Sequence, residues 1–359
     1  MFRNPSSSSR APNVFLDEGI LSITQDISGN FFGVVDRRSV AVAEEAAKRA
    51  DLEKRETLEA LVLQSVQLFW QTYVAKEQLR EAMKAREKYR ELVREVGRKA
   101  SLGSVNPGDL PRARAELGAQ ESRVKEASVA LLQQTERLLT VLNLADSSRE
   151  DVELVPGKEI LPPLPVLSVR AVDELRKMRS SMIALENAEV EMRVAKLTGL
   201  PTVKLSGSVT YTGLETTTSA SFASMTSGIS PKYVYGVTVD MPLFSHQVEA
   251  NVGLKTAAHA EAELILSRTR DELRDEQQNA LEKLKSARVV AENSIEALEN
   301  WEAAIRAEER SYRQGRLDFS QLIVDYNAYF RAESARTKAV GDYHIALNEF
   351  AAVNDRLVE

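Results

Sequence analysis

The chain repeats itself at a constant offset of 212 residues. Phe32 falls on Phe244, Ala46 on Ala258, Ala50 on Ala262 and Leu52 on Leu264. Further along, the same offset carries Gly103 onto Gly315 and Leu110 onto Leu322. An offset held over about eighty residues leaves little room for insertions between the copies. Long uninterrupted helices behave this way, because an inserted residue rotates every later side chain off its face. Two copies of one long helical hairpin are therefore predicted.

Composition agrees. The chain is 28% charged, 43% hydrophobic and 6% aromatic, the profile of long helices and coiled coils. Its net charge is −6 with both signs interleaved. No dense basic stripe exists to neutralise phosphates, so a nucleic-acid partner is not expected. There is no cysteine, which excludes disulfides and thiolate metal sites. No run of about 18 apolar residues encodes a membrane-spanning helix. That leaves a β-barrel open, since its strands need only about ten alternating residues.

Residues 1–13 are polar and read as a disordered N-terminus. A first repeat covers 14–144. In it Leu21, Ile23 and Gln25 alternate with Ser22 and Thr24 as a strand, and proline is absent from about Gly33 to Ala100. That stretch could reach roughly 100 Å as one helix. Gly103-Ser-Val-Asn-Pro-Gly108 reads as a turn, with a return helix from Asp109 to about Asn143. An irregular connector, 145–168, holds Pro156, Pro162, Pro163 and Pro165. A second repeat covers 169–357. It begins with a shorter helix to Thr198, then the alternating strands 203–211 and 233–239. Residues 213–230 between them read as a polar loop. A long helix from Val248 to Gln314 carries Leu284, Ala291, Leu298 and Ile305 seven apart, a coiled-coil seam. A last helix runs from Asp318 to Asn354.

This order resembles the TolC-type outer-membrane efflux protein family. The residues carrying the resemblance are Pro242-Leu243-Phe244 at the strand-to-helix junction, Gly315 followed by Leu322, and Gly103 followed by Asp109-Leu-Pro-Arg-Ala-Arg-Ala115. The resemblance implies a mainly α fold with a small β part. Duplicated helical hairpins would form a coiled-coil-like tunnel, and the strands would contribute to a trimeric transmembrane β-barrel. It implies a passive exit duct in the outer membrane of a Gram-negative bacterium, extending into the periplasm. The implied partners are a periplasmic adaptor, an inner-membrane pump, outer-membrane lipid and two further copies of the chain. The system would be a tripartite efflux pump or a type I secretion system. In full-length members a signal peptide, a helix like 169–198 and a strand like 203–212 precede the first copy. The chain is therefore expected to be a fragment or to carry a late-called start.

The hairpin tips are the candidate docking site and gate: Gly103, Asp109, Leu110 and Arg114 at the first, Gly315, Arg316, Asp318, Gln321, Leu322 and Asp325 at the second. Asp109 and Arg114 could form a network holding the tips shut, or Asp109 could simply cap a helix. His246, His259 and His344 sit at no ligand spacing and read as surface residues. Trp70 and Trp301 read as packing anchors. Tyr211, Tyr233 and Tyr235 fit an interfacial aromatic girdle. No nucleophile–base pair, phosphate loop or carboxylate dyad points to an enzyme or a cofactor. A soluble periplasmic coiled-coil or adaptor protein is the alternative reading.

Overall fold

The computed structural model describes residues 13–28, 33–103, 106–144, 154–155, 161–164, 168–228, 231–241 and 245–358. Elements follow in the order β1 (Phe15–Asp26), α1 (Val34–Ser101), α2 (Asp109–Val141), α3 (Arg176–Thr198), β2 (Thr202–Glu215), α4 (Thr218–Thr226), β3 (Pro231–Asp240), α5 (His246–Arg313) and α6 (Phe319–Val353). Helices α1 and α5 each hold 68 residues, and both ends of α5 lie one repeat offset beyond those of α1. Among the described residues, no helix is long and apolar enough to cross a membrane.

The chain divides into two compact units. One comprises Met1–Ala50 with Ser181–Leu266, the other Asp51–Ser180 with Ser267–Glu359. Each unit draws on both sequence repeats, because α1 and α5 supply residues to both.

The first unit holds an antiparallel sheet ordered β1-β2-β3. Residues paired directly across a ladder point to one face. Val209 pairs with Leu21 and Tyr233, Leu205 with Val237, and Val203 with Val239. Leu21, Ile23, Leu205, Tyr233, Tyr235, Val237 and Val239 are all exposed on that face. The other face carries Ser22, Thr24, Lys204, Ser206, Ser208 and Thr210, with Leu16, Ile20, Leu214 and Val234 among them. Lys204 and Asp240 pair across it at 3.2 Å.

The segment 213–230 is not wholly loop, since α4 forms within it. This helix packs on Gly213 so closely that an added Cβ would lie 1.9 Å from the Ser221 carbonyl oxygen. The Ser221 hydroxyl donates to the Gly213 carbonyl at 2.8 Å. Tertiary contact, rather than the Ser- and Thr-rich sequence, holds this helix.

The second unit is helical. The seam predicted on α5 is buried at Leu284, Ala291 and Ile305, while Leu298 packs on the core from its edge. It extends to Gln277 and Tyr312, also seven apart and buried. One cluster joins Leu284 and Ala291 to Ala339, Tyr343, Ala346 and Phe350 of α6. The connector is tied to it: the Tyr343 hydroxyl and Arg288 both donate to the Pro162 carbonyl, at 2.8 and 2.6 Å.

The helix expected from Val169 starts later. A short 3-10 turn, Val172–Glu174, precedes α3, which begins at Arg176. Leu175 between them is extended and buried. Arg176 is the reason for the break. Its amide donates to Asp355 at 2.7 Å, and its guanidinium sits among Glu56, Glu59 and Asp355. Those three carboxylates lie close enough together to suggest a cation site. The Arg176 guanidinium fills the space among them, and the Leu357 amide binds Glu59 as well. Nearby, fully buried Asn354 accepts from the Arg170 amide and Gln277 and donates to the Phe350 carbonyl. Every polar atom of that amide is used, as burial requires.

His344 is not a surface residue. It is 7% exposed and stacks on Trp70 with ring centroids 3.7 Å apart. Trp70 is itself buried, and Trp301 packs against the core from its edge. Gly341 brings α6 against α1: a Cβ there would lie 2.4 Å from Val74 Cγ2.

Candidate functional site: the two hairpin tips

Both turns are built on a glycine in the left-handed region, Gly103 at φ +68° and Gly315 at φ +71°. At Gly315 the closure is complete. The Arg316 amide reaches back to the Ser311 carbonyl at 2.9 Å, and the Gly315 amide to the Tyr312 carbonyl at 3.0 Å. This pair of bonds satisfies the last carbonyls of α5. At the first tip the Gly103 amide likewise binds the Ala100 carbonyl at 3.0 Å.

Each return helix then uses an aspartate, in two ways. Asp318 is the N-cap of α6, its carboxylate accepting from the Phe319 amide at 2.9 Å. Asp109 is not a cap. Gly108 takes that position, and Asp109 is the first residue of α2. Its carboxylate accepts from the Asn106 amide at 3.0 Å, while its own amide binds the Asn106 carbonyl at 3.0 Å. It clamps the turn. The expected pairing of Asp109 with Arg114 is absent among the described residues, and Arg114 is exposed. Arg112 instead links the tips, donating to the Ser320 hydroxyl at 2.7 Å. Residue types alone could not choose between two arginines two positions apart.

Leu322 is buried and Leu110 packs beside it, in the cluster that also holds Tyr89, Val96, Ile305, Tyr312 and Tyr326. These leucines anchor the tips from within. Asp325 is buried too. Gln321 donates to its two oxygens at 3.0 and 2.9 Å. Glu308 of α5 faces it. Burial, and then the Asp325 carboxylate, push the Glu308 carboxyl above its usual range. A like charge facing it in a protected place makes ionising Glu308 costlier. The sequence reading missed Glu308, which lies outside the turn.

The surrounding polar groups are coupled. Glu309 is held below its usual range: burial opposes this, but the Tyr326 hydroxyl and Lys88 bind it at 2.7 and 2.9 Å. Lys99 sits 3.8 Å above the Tyr312 ring. Burial, then Glu95, Asp109 and Asp318, push the Tyr312 hydroxyl up to about 12. The junction Pro242-Leu243-Phe244 lies outside the described residues.

The sequence profile of the outer membrane efflux protein family matches residues 167–353, just over half the chain. The chain belongs to that family. The efflux-protein fold is shared with solved structures. The Campylobacter jejuni CmeC outer membrane channel superposes with a TM-score of 0.74 at 15% identity, over 97% of this chain and 78% of that one. The outer membrane protein VceC of Vibrio cholerae gives 0.76 at 13% identity, over 95% of this chain and 87% of its own. The open state of the Neisseria gonorrhoeae MtrE outer membrane channel gives 0.74 at 15% identity, over 97% and 81%. Among the curated proteins none matches the sequence. The outer membrane efflux protein family is one of transport ducts rather than enzymes. Its fold here is the helical hairpins and small sheet described above.

Proposed function

We propose that this efflux-family chain builds the passive exit duct of a tripartite efflux pump or type I secretion system, carrying drugs, other small molecules or proteins. It sits in the outer membrane of a Gram-negative bacterium and extends into the periplasm. The observation that carries this reading is the sheet of the first unit. One face presents Leu21, Ile23, Leu205, Tyr233, Tyr235, Val237 and Val239 to solvent, while the other carries most of the hydroxyls. An exposed apolar face on a hydroxyl-backed sheet suits lipid on one side and water on the other.

Strands β1 and β3 are the sheet's edges. An open edge in lipid leaves backbone groups unsatisfied at several kcal/mol each. Closing the sheet through neighbouring copies removes the edges, which supports a homotrimer with one shared barrel. The helical hairpins form the duct wall. Nothing in this arrangement supplies energy, so an inner-membrane pump must, reached through a periplasmic adaptor docked at the tips.

Envelope fractionation tests the reading. The protein made by its native cells is expected in the outer-membrane fraction, solubilised only by detergent, and running on native gels as a trimer. Recovery as a salt-extractable monomer in the periplasmic fraction would favour a soluble coiled-coil protein instead.

A further inference from the structure

Three helices meet one end of the sheet. Helix α1 follows β1, α3 leads into β2 at Thr202, and α5 follows β3. The three strand ends lie together, because Asp26 pairs with Lys204 and Thr202 with Asp240. These helix ends and the sheet belong to one compact unit. They pack closely: a Cβ on Gly199, just past α3, would lie 2.8 Å from Val248 Cγ1 of α5.

Between the three helices lies an open cleft of about 260 Å³. Arg38 stands on the second turn of α1, Val190, Glu191 and Val194 on the last three turns of α3, and Lys255 on the third turn of α5. Each lies within about 15 Å of the sheet-side end of its helix. Val42, Val190 and Val194, all half-buried, give the cleft an apolar wall. Its charges are one pair and one surplus cation. Lys255 binds Glu191 at 2.6 Å, a half-exposed pair that is worth little by itself. Glu191 is the one carboxylate among the described lining residues. Arg38 is half-buried, and its side chain forms no ion pair or hydrogen bond among the described residues. A guanidinium that has lost part of its water is best repaid by an anion that fits its fork.

We infer that this cleft seats the phosphoethanolamine headgroup of a glycerophospholipid. The phosphate lies on Arg38 and Lys255, the ammonium on Glu191, and the start of an acyl chain along the three valines. This rests on the proposed placement of the sheet in the outer membrane, which sets its helix-bearing end at the periplasmic leaflet. Arginine holds phosphate oxygens in pairs, and an apolar wall with a few convergent polar groups suits an amphiphile. An anionic headgroup satisfies Arg38 but brings no cation to Glu191, so the zwitterion is preferred.

The test titrates lipids into protein isolated in detergent from its native outer membrane, read by native mass spectrometry. Phosphatidylethanolamine should occupy one site per chain, about tenfold or more tighter than phosphatidylglycerol. Arg38→Ala should weaken it about tenfold or more. Val194→Trp should block the cleft, and Arg193→Ala, on α3 but outside the lining, should change nothing. Glu191→Lys should turn the preference to phosphatidylglycerol. Unchanged helical circular dichroism and a trimer on native gels would show that the variants fold. Equal affinity for the two lipids overturns the headgroup. Binding unchanged by both Arg38→Ala and Val194→Trp overturns the site. Free phosphoethanolamine competing as well as the diacyl lipid overturns the lipid in favour of a soluble phosphate. A photoreactive residue at Val194 that captures a neighbouring copy assigns the cleft to assembly and overturns the inference. Protein that fractionates with the outer membrane yet binds no lipid here sinks this inference and leaves the duct standing. Recovery in the periplasmic fraction sinks both.

Discussion

Gly315 and Gly341 show how one residue type does two jobs. Gly315 is at φ +71°, with no atom within 4 Å of where a Cβ would sit. Gly315→Ala meets only backbone strain and should cost about 1–2 kcal/mol. Gly341 has ordinary backbone but no room, with Val74 Cγ2 2.4 Å from an added Cβ. Gly341→Ala should cost about 1–3 kcal/mol by forcing α6 off α1, and Val74→Ala should rescue part of that loss. Denaturant unfolding of the single and double variants measures both; rescue of Gly315→Ala by Val74→Ala would contradict the account. Glu81 is a third case. Burial raises its carboxyl from 4.5 to about 7; the Thr337 hydroxyl opposes the shift, and Glu333 and Glu77 add to it. An acid whose folded pKa is raised binds its proton more tightly when folded. Its contribution is therefore full below pH 4.5 and is lost as pH rises through about 7. Glu81→Gln should flatten stability between those values. At pH 8 it should gain about 2 kcal/mol over the parent, after discounting for partial solvent exposure. A pH series of unfolding midpoints reads this, and a parent profile that is flat from pH 5 to 8 would refute it.

At the level of elements, the sheet is the sharper test. Val209 lies on the apolar face opposite Leu21 and Tyr233, and Ser208 on the other face opposite Ser22. Val209→Arg should lose assembled trimer, because an arginine on a lipid face costs about 2–4 kcal/mol near the bilayer midplane. Ser208→Arg should assemble and alter conductance. Equal amounts of trimer from both would place neither face in lipid. The elements were legible in sequence to very different degrees. The repeat offset located both long helices because an unbroken helix admits no insertion, and the two have equal length. The strands were legible because alternation survives on a sheet with two unlike faces. Helix α4 was not, since it depends on Gly213 admitting its backbone. His344 was not, since its burial depends on Trp70 of another helix. At the tips the glycines and aspartates could be read as turn residues. Which carboxylate caps, which clamps, and that Arg112 rather than Arg114 reaches Ser320 depend on how two hairpins meet.

At the scale of the whole molecule, an outer membrane efflux fold carries a sheet whose two edges need neighbours and two glycine-turned hairpin tips. On the proposed reading these features belong to one duct, closed by copies of itself through the sheet and docked by a partner at the tips. The most direct measurement is conductance. Protein isolated in detergent from its native outer membrane is added to a planar lipid bilayer at low concentration. Stepwise, uniform conductance increments should appear, each from one trimer, and Ser208→Arg should shift their size while leaving their frequency unchanged. A bilayer that stays silent while the same sample is shown to be folded and trimeric would contradict the claim that this chain is a channel.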